Sequence, residues 1–265
     1  MPDNPFAQYL APVVGLAERA GLSILYHYQK QSGALGRKSD GSPVTEADRA
    51  SEAILIFGLE SLTPEIPILS EEQVELGQIP DLSGGVYWCL DPLDGTKEYL
   101  QRTGEFTICI AGIAHGRAVF GLLLAPVLGL CYGSDGRGVW QFDLVNPAAA
   151  PHPISCRVRP ADPSERIALV SRSHRDGKEL NQLLLLEAID EPNRRTMGSA
   201  IKFGEIAAGK ADLYARFGAT NQWDTAAGQA IVEAAGGTLL DHSGKPLNYS
   251  WQRFENQPFI ARGKP

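Results

Sequence analysis

Apolar residues recur at three- and four-residue steps through Leu10, Val13, Val14, Ala17, Ala20, Ile24 and Tyr28, the spacing of one buried helix face. A polar, Gly-rich stretch from Ser32 to Ser42 reads as a loop or hairpin, and a second helix is predicted from near Thr45 toward Leu62. Short apolar runs follow at Ile66–Ser70 and Val86–Leu90. Phe106–Ile113, Ala118–Leu124, Gly129–Tyr132 and Gly138–Phe142 are then separated by Gly and Pro turns. That succession predicts an antiparallel meander.

The pattern changes beyond the Pro- and Ala-rich stretch Asn146–Pro153, the best boundary between two subdomains, 1–150 and 151–265. Strand-like Ile167–Val170, Leu213–Arg216, Thr238–Leu240 and Phe259–Ala261 alternate with helical Lys178–Ile189, Ile201–Ala208 and Thr225–Ala235. Alternation of this kind favours an α/β layer. The expected fold is mixed α+β and α/β, with a site at the junction of the halves, where pockets commonly lie.

Composition narrows the function classes. The chain has 265 residues, 43% of them hydrophobic, which suits a globular protein. Its net charge is −7 with Lys and Arg scattered, so it is not expected to bind nucleic acid. Acidity does not exclude a phosphate substrate, because bound divalent cations invert the local charge. Cys89, Cys109, Cys131 and Cys156 form no CxxC pair and are read as reduced core thiols. Met1–Gln8 lacks the form of a signal peptide, and no apolar run is long enough to span a membrane. A cytoplasmic location is expected.

The chemistry concentrates in carboxylates. Asp91-Pro92-Leu93-Asp94-Gly95-Thr96 follows the strand Val86–Leu90 and precedes the helix-compatible Lys97–Gln101. A tight turn there can aim Asp91, Asp94 and the Leu93 carbonyl at one point, an all-oxygen set suited to Mg²⁺, with the Gly95 and Thr96 amides placed for an anion. The same residues also fit a strand-ending turn and a capped helix. Glu71 and Glu72 follow the strand Ile66–Leu69 and fit a solvated turn. Asp224 precedes an Ala-rich helix and fits a cap. Thr45 to Asp48 fits a capping box.

These stretches, read together, resemble the inositol monophosphatase superfamily of Mg²⁺-dependent, lithium-sensitive phosphatases, and within it the 3′(2′),5′-bisphosphate nucleotidases of CysQ type. The resemblance rests on Asp40–Asp48, Leu69–Glu72, Asp91–Glu98, Ser171–His174, Gly198–Phe203 and Trp223–Gly228, in family order along nearly the whole chain. It implies a layered αβαβα sandwich. It implies that Glu71, Asp91, Asp94, Asp224 and the Leu93 carbonyl ligate two Mg²⁺ ions, with Asp91 bridging them and a third ion allowed beside Asp48. Thr96, with Glu71 or Asp48, would then orient and deprotonate the attacking water. Gly95, Thr96, Ser173, His174, Ser199, Lys202, Arg216 and Asp224 would contact the substrate, a small bisphosphorylated nucleotide, 3′(2′)-phosphoadenosine 5′-phosphate, cleaved to AMP and phosphate. Spacing adds that Ser199 and Lys202, three apart, would share one helix face. An inositol-1-monophosphatase-like enzyme and a non-catalytic metal-dependent binding protein are the rival readings. The resemblance leaves monomer and homodimer open, and allows peripheral association with the inner face of the cell membrane.

Overall fold

The computed structural model describes residues 4–30, 33–37, 43–146, 148–173 and 177–265. Helices α1 (Leu10–Gln29) and α2 (Glu46–Leu62) pack side by side as the first layer. Thr45 caps α2 and exchanges hydrogen bonds with Asp48 in a capping box. Before it, β1 (Ala34–Arg37) pairs antiparallel with β2 (Pro43–Thr45). This is the predicted hairpin, although residues 38–42, including Asp40 to Ser42 of the first motif, lie outside the described residues.

The second layer is a seven-stranded sheet in chain order. It comprises β3 (Ile68–Ser70), β4 (Val86–Asp94), β5 (Thr107–Ala114), β6 (Arg117–Ala125), β7 (Leu130–Ser134), β8 (Val139–Asp143) and β9 (His152–Pro153). All its pairs are antiparallel except β3 with β4. Two short helices interrupt it, α3 (Glu71–Glu75) and α4 (Thr96–Leu100). The Glu pair therefore opens a helix rather than a solvated turn, and Glu72 is buried. Both faces of the sheet are covered, which is why its strands read as near-continuous apolar runs. Trp88, Leu90, Ile108, Ile110, Phe120, Leu122 and Leu124 face α1 and α2. Their neighbours Tyr87, Cys89, Cys109, Ala111 and Leu123 face the opposite core. All four cysteines are buried and free.

That opposite core holds the third layer, α6 (Ile201–Ala207) and α7 (Gln222–Ala234). A five-stranded sheet forms the fourth, in the order β11 (Arg194–Met197), β10 (Ala168–Ser171), β12 (Leu213–Arg216), β14 (Phe259–Arg262), β13 (Thr238–Asp241). Leu169 and Tyr214 point to the α6–α7 side, whereas Ala168 and Leu213 point to α5 (Gly177–Leu186), the fifth layer. The result is an αβαβα sandwich. Strand β11 escaped the sequence reading because Arg194-Arg195-Thr196 is polar and sits at a sheet edge. Helix α5 ends before Ile189, with Ala188 in a left-handed conformation.

Close approach of α7 to the first sheet and to α6 depends on missing side chains. A Cβ on Gly121 would stand 2.3 Å from the Ala227 carbonyl oxygen, and one on Gly228 would stand 2.1 Å from the Phe203 ring. Gly121→Ala should force α7 off β6 and destabilise the protein by about 1–3 kcal/mol, read as a lower urea midpoint. An unchanged midpoint would mean the two layers are not in this contact.

Candidate metal and phosphate site

Strand β4 runs through Asp94 rather than ending at Leu90. Its register with β5 carries one extra residue: Asp91 lies opposite Cys109, but Asp94 lies opposite Thr107. In a regular strand, residues three apart point to opposite faces. The bulge resets the alternation, so Asp91 and Asp94 turn to the same side. Pro92, which has no N–H to lose from the ladder, sits inside this irregularity, and its carbonyl accepts a hydrogen bond from Ser51. Gly95 then turns the chain in a left-handed conformation, φ +92°, into α4.

Asp224 comes from the third layer. It does not precede its helix as the sequence suggested. Helix α7 starts at Gln222 with Asn221 as cap, and Asp224 occupies the third helical position, accepting the Asn221 amide at 2.7 Å. Capping and convergence coexist: ligand atoms of Asp91, Asp94 and Asp224 all lie within 4.8 Å of one another. Asp94 also accepts from Thr107 at 3.3 Å and from the Ala200 amide. Neither partner was visible in the sequence, since both arrive through long-range contacts.

The three carboxylates open onto a cavity of about 280 Å³, whose lining also includes Glu71, Leu93, Gly95, Thr96, Ser199, Lys202, Tyr214, Arg216 and Trp223. The Thr96 hydroxyl lies 3.4 Å from Asp48 Oδ1 and 3.3 Å from the Leu93 carbonyl oxygen. The other Asp48 oxygen accepts the Thr45 amide. Asp48 is thus both a cap and the buried neighbour of Thr96.

Lys202 is fully buried, with its ammonium on the carbonyls of Met197 and Ser199 and 4.8 Å from the Tyr214 ring centre. Ser199 reaches the cavity from the turn before α6, not from the helix face that its spacing suggested, and holds φ +49°. Arg216 is buried on β12, with one nitrogen 3.4 Å from the Ala219 carbonyl oxygen. Ser173 is not itself among the residues lining the cavity, but its hydroxyl donates to Glu98, which is. His174 lies outside the described residues.

The electrostatics call for a cation. Burial first, then the charges of Asp94 and Glu71, push the Asp224 carboxyl well above its ordinary 3.8. Burial also raises Asp94, against the opposing pull of Lys202. Lys202 itself is pushed down by burial to about 8, with Asp94 acting in the opposite sense. Oxygen donors that resist ionisation until a positive charge arrives fit a hard divalent ion.

A pH dependence follows with a definite sign. Raised folded-state values mean that Asp94 and Asp224 hold protons more tightly when folded. Their contribution to stability therefore falls as pH rises from 3.8 toward the raised values. A divalent cation bound by these carboxylates would displace those protons. Calorimetry in buffers of different ionisation enthalpy should show proton release on Mg²⁺ binding, and affinity should rise with pH. Binding without proton release would contradict the raised values.

Comparison with known proteins gives the family. The model of the inositol monophosphatase family matches residues 7–261. The chain belongs to the inositol monophosphatase family. Among the members of this family most similar to it, the 3′(2′),5′-bisphosphate nucleotidase CysQ of Escherichia coli K12 is 38% identical over 242 residues, 91% of this chain and 94% of that protein. The protein of the same name from Buchnera aphidicola is 36% identical over 98% of this chain and 95% of its own length. The crystal structure of CysQ from Bacteroides thetaiotaomicron superposes with a TM-score of 0.78 at 30% identity, covering 99% of this chain and 100% of that one. The αβαβα layering is thus that of the inositol monophosphatase family.

Proposed function

We propose that the chain is a Mg²⁺-dependent phosphomonoesterase that hydrolyses 3′(2′)-phosphoadenosine 5′-phosphate to AMP and phosphate. The observation that carries it is one cavity lined by both acidic and basic groups. Asp91, Asp94 and Asp224 converge in it, and Lys202 and Arg216 line the same cavity. The relatives named as 3′(2′),5′-bisphosphate nucleotidases, similar over more than nine-tenths of the chain, support the nucleotide as substrate.

Asp91, Asp94 and Asp224, with Glu71 and the Leu93 carbonyl, would hold the ions, two in this reading. When bound, Mg²⁺ neutralises the transferring phosphoryl group and both oxygens of an in-line displacement. The chain's own residues do the rest. The Thr96 hydroxyl takes a proton from the attacking water and passes its own to Asp48, its neighbour at 3.4 Å. Glu71, on the same cavity wall, is the alternative acceptor. The water oxygen bonds to phosphorus as the bond to the ribose oxygen breaks, and a proton returns to that oxygen. Lys202 and Arg216 offer cationic donors to the phosphate that is not cleaved, and Trp223 and Tyr214 offer aromatic surface beside it. Free buried thiols throughout the core support a reducing, cytoplasmic setting. Among the described residues no helix is long and apolar enough to cross a membrane.

Phosphate release from the adenosine bisphosphate, inositol 1-phosphate and sugar phosphates should give the highest kcat/KM on the bisphosphate. A preference for inositol 1-phosphate would move the substrate to the other branch of the family and leave the metal chemistry intact.

A further inference from the structure

Strain in the site is concentrated at Ser199. A non-glycine residue in the left-handed region persists only where its surroundings over-determine it, and here those surroundings are charged. The carbonyls of Met197 and of Ser199 itself accept from the Lys202 ammonium. The Gly198 amide donates to Glu105 Oε2 at 2.8 Å, and the Ala200 amide donates to Asp94. Glu105 lies before β5, outside the cavity lining, and is itself clamped. Arg172 grips both its oxygens, at 2.7 and 2.8 Å, and reaches the Thr196 carbonyl at 3.3 Å. The backbone closes the same gap. A Cβ on Gly198 would stand 2.9 Å from the Glu105 carbonyl oxygen, and one on Gly95 would stand 3.2 Å from that oxygen and 3.1 Å from Ser199 Cβ.

We infer that Glu105 is a positioning residue: fixed by Arg172, it pins the Gly198 amide, holds the turn in its strained form and so aims the Ala200 amide at Asp94. The bidentate pair therefore serves the metal site from outside it. It also gives Arg172 of the Ser171–His174 motif a partner other than substrate. The inference rests on the reading of Asp94 as a ligand.

Groups that orient a ligand typically change metal affinity about 10- to 100-fold when removed. Glu105→Ala should weaken Mg²⁺ binding to the metal-free protein about 10-fold by calorimetry, at the lower end because Glu105 acts through the turn. Glu105→Gln keeps an acceptor for the Gly198 amide and should stay within about threefold of the parent. Arg172→Ala should weaken binding at least about threefold, and decides the matter if Glu105→Ala does not fold. A purely structural role would lower the thermal midpoint and leave the Mg²⁺ affinity of the folded protein unchanged. That result in both Glu105→Ala and Arg172→Ala overturns the inference. Asp94→Asn, measured alongside, separates the two readings. If it weakens Mg²⁺ binding and Glu105→Ala does not, only the positioning role fails. If Asp94→Asn leaves Mg²⁺ binding unchanged, the ligand reading itself fails.

Discussion

Asp94→Asn should lower kcat at least about 100-fold at saturating Mg²⁺, the scale of losing part of the stabilisation of transition-state charge. The substitution is conservative in shape. An asparagine oxygen can still accept from the Ala200 amide and Thr107, the contacts that orient Asp94. What disappears is a negative charge in a cluster whose ligand atoms lie within 4.8 Å of one another. The metal-free protein should become more stable at neutral pH. Burial raises Asp94 despite the attraction of Lys202, so the ionised form is the disfavoured one in the folded chain. The gain should shrink on acidification, as the parent's Asp94 takes up its proton. Near-normal kcat would leave Asp91–Thr96 as a bulged strand end with no metal chemistry.

Lys202→Ala should be the second large effect, and its pattern across substrates matters more than its size. An ammonium has three donors. Met197 and Ser199 take two, and the residue still lines the cavity. A charge-assisted hydrogen bond to the uncleaved phosphate contributes about 1.5–3 kcal/mol, so kcat/KM for 3′-phosphoadenosine 5′-phosphate should fall roughly 10- to 150-fold. Inositol 1-phosphate lacks that second phosphate. Its turnover should fall less, by the part that comes from loosening the Ser199 turn. Equal losses on both substrates would confine Lys202 to the turn. No loss on either would remove it from the site altogether.

The candidate carboxylates could be named from the sequence, but the way they meet could not. The α1 face, the α2 capping box and the meander followed from periodicity and local caps, because short-range forces set them. The bulge between Asp91 and Asp94 did not. The same residues fit a turn after Leu90, and only pairing with Thr107 and Cys109 shows the extra residue. Asp224 illustrates the same limit: capping and convergence looked like alternatives, yet one carboxylate does both. Glu98 and Glu105 were not singled out, since charged residues in and just after a short helix carry no local signal. Their partners Ser173, Arg172 and Gly198 lie more than sixty residues away along the chain. The spacing of Ser199 and Lys202 suggested a shared helix face. A strained turn joins them instead.

The most direct test is phosphate release from 3′-phosphoadenosine 5′-phosphate by the purified protein, before and after removal of divalent ions. Turnover should yield AMP and phosphate in equal amounts, fall to background in excess chelator, and return when Mg²⁺ is restored. Turnover undiminished in excess chelator, or none at all with Mg²⁺ restored, would contradict a metal-dependent nucleotidase built on Asp91, Asp94 and Asp224.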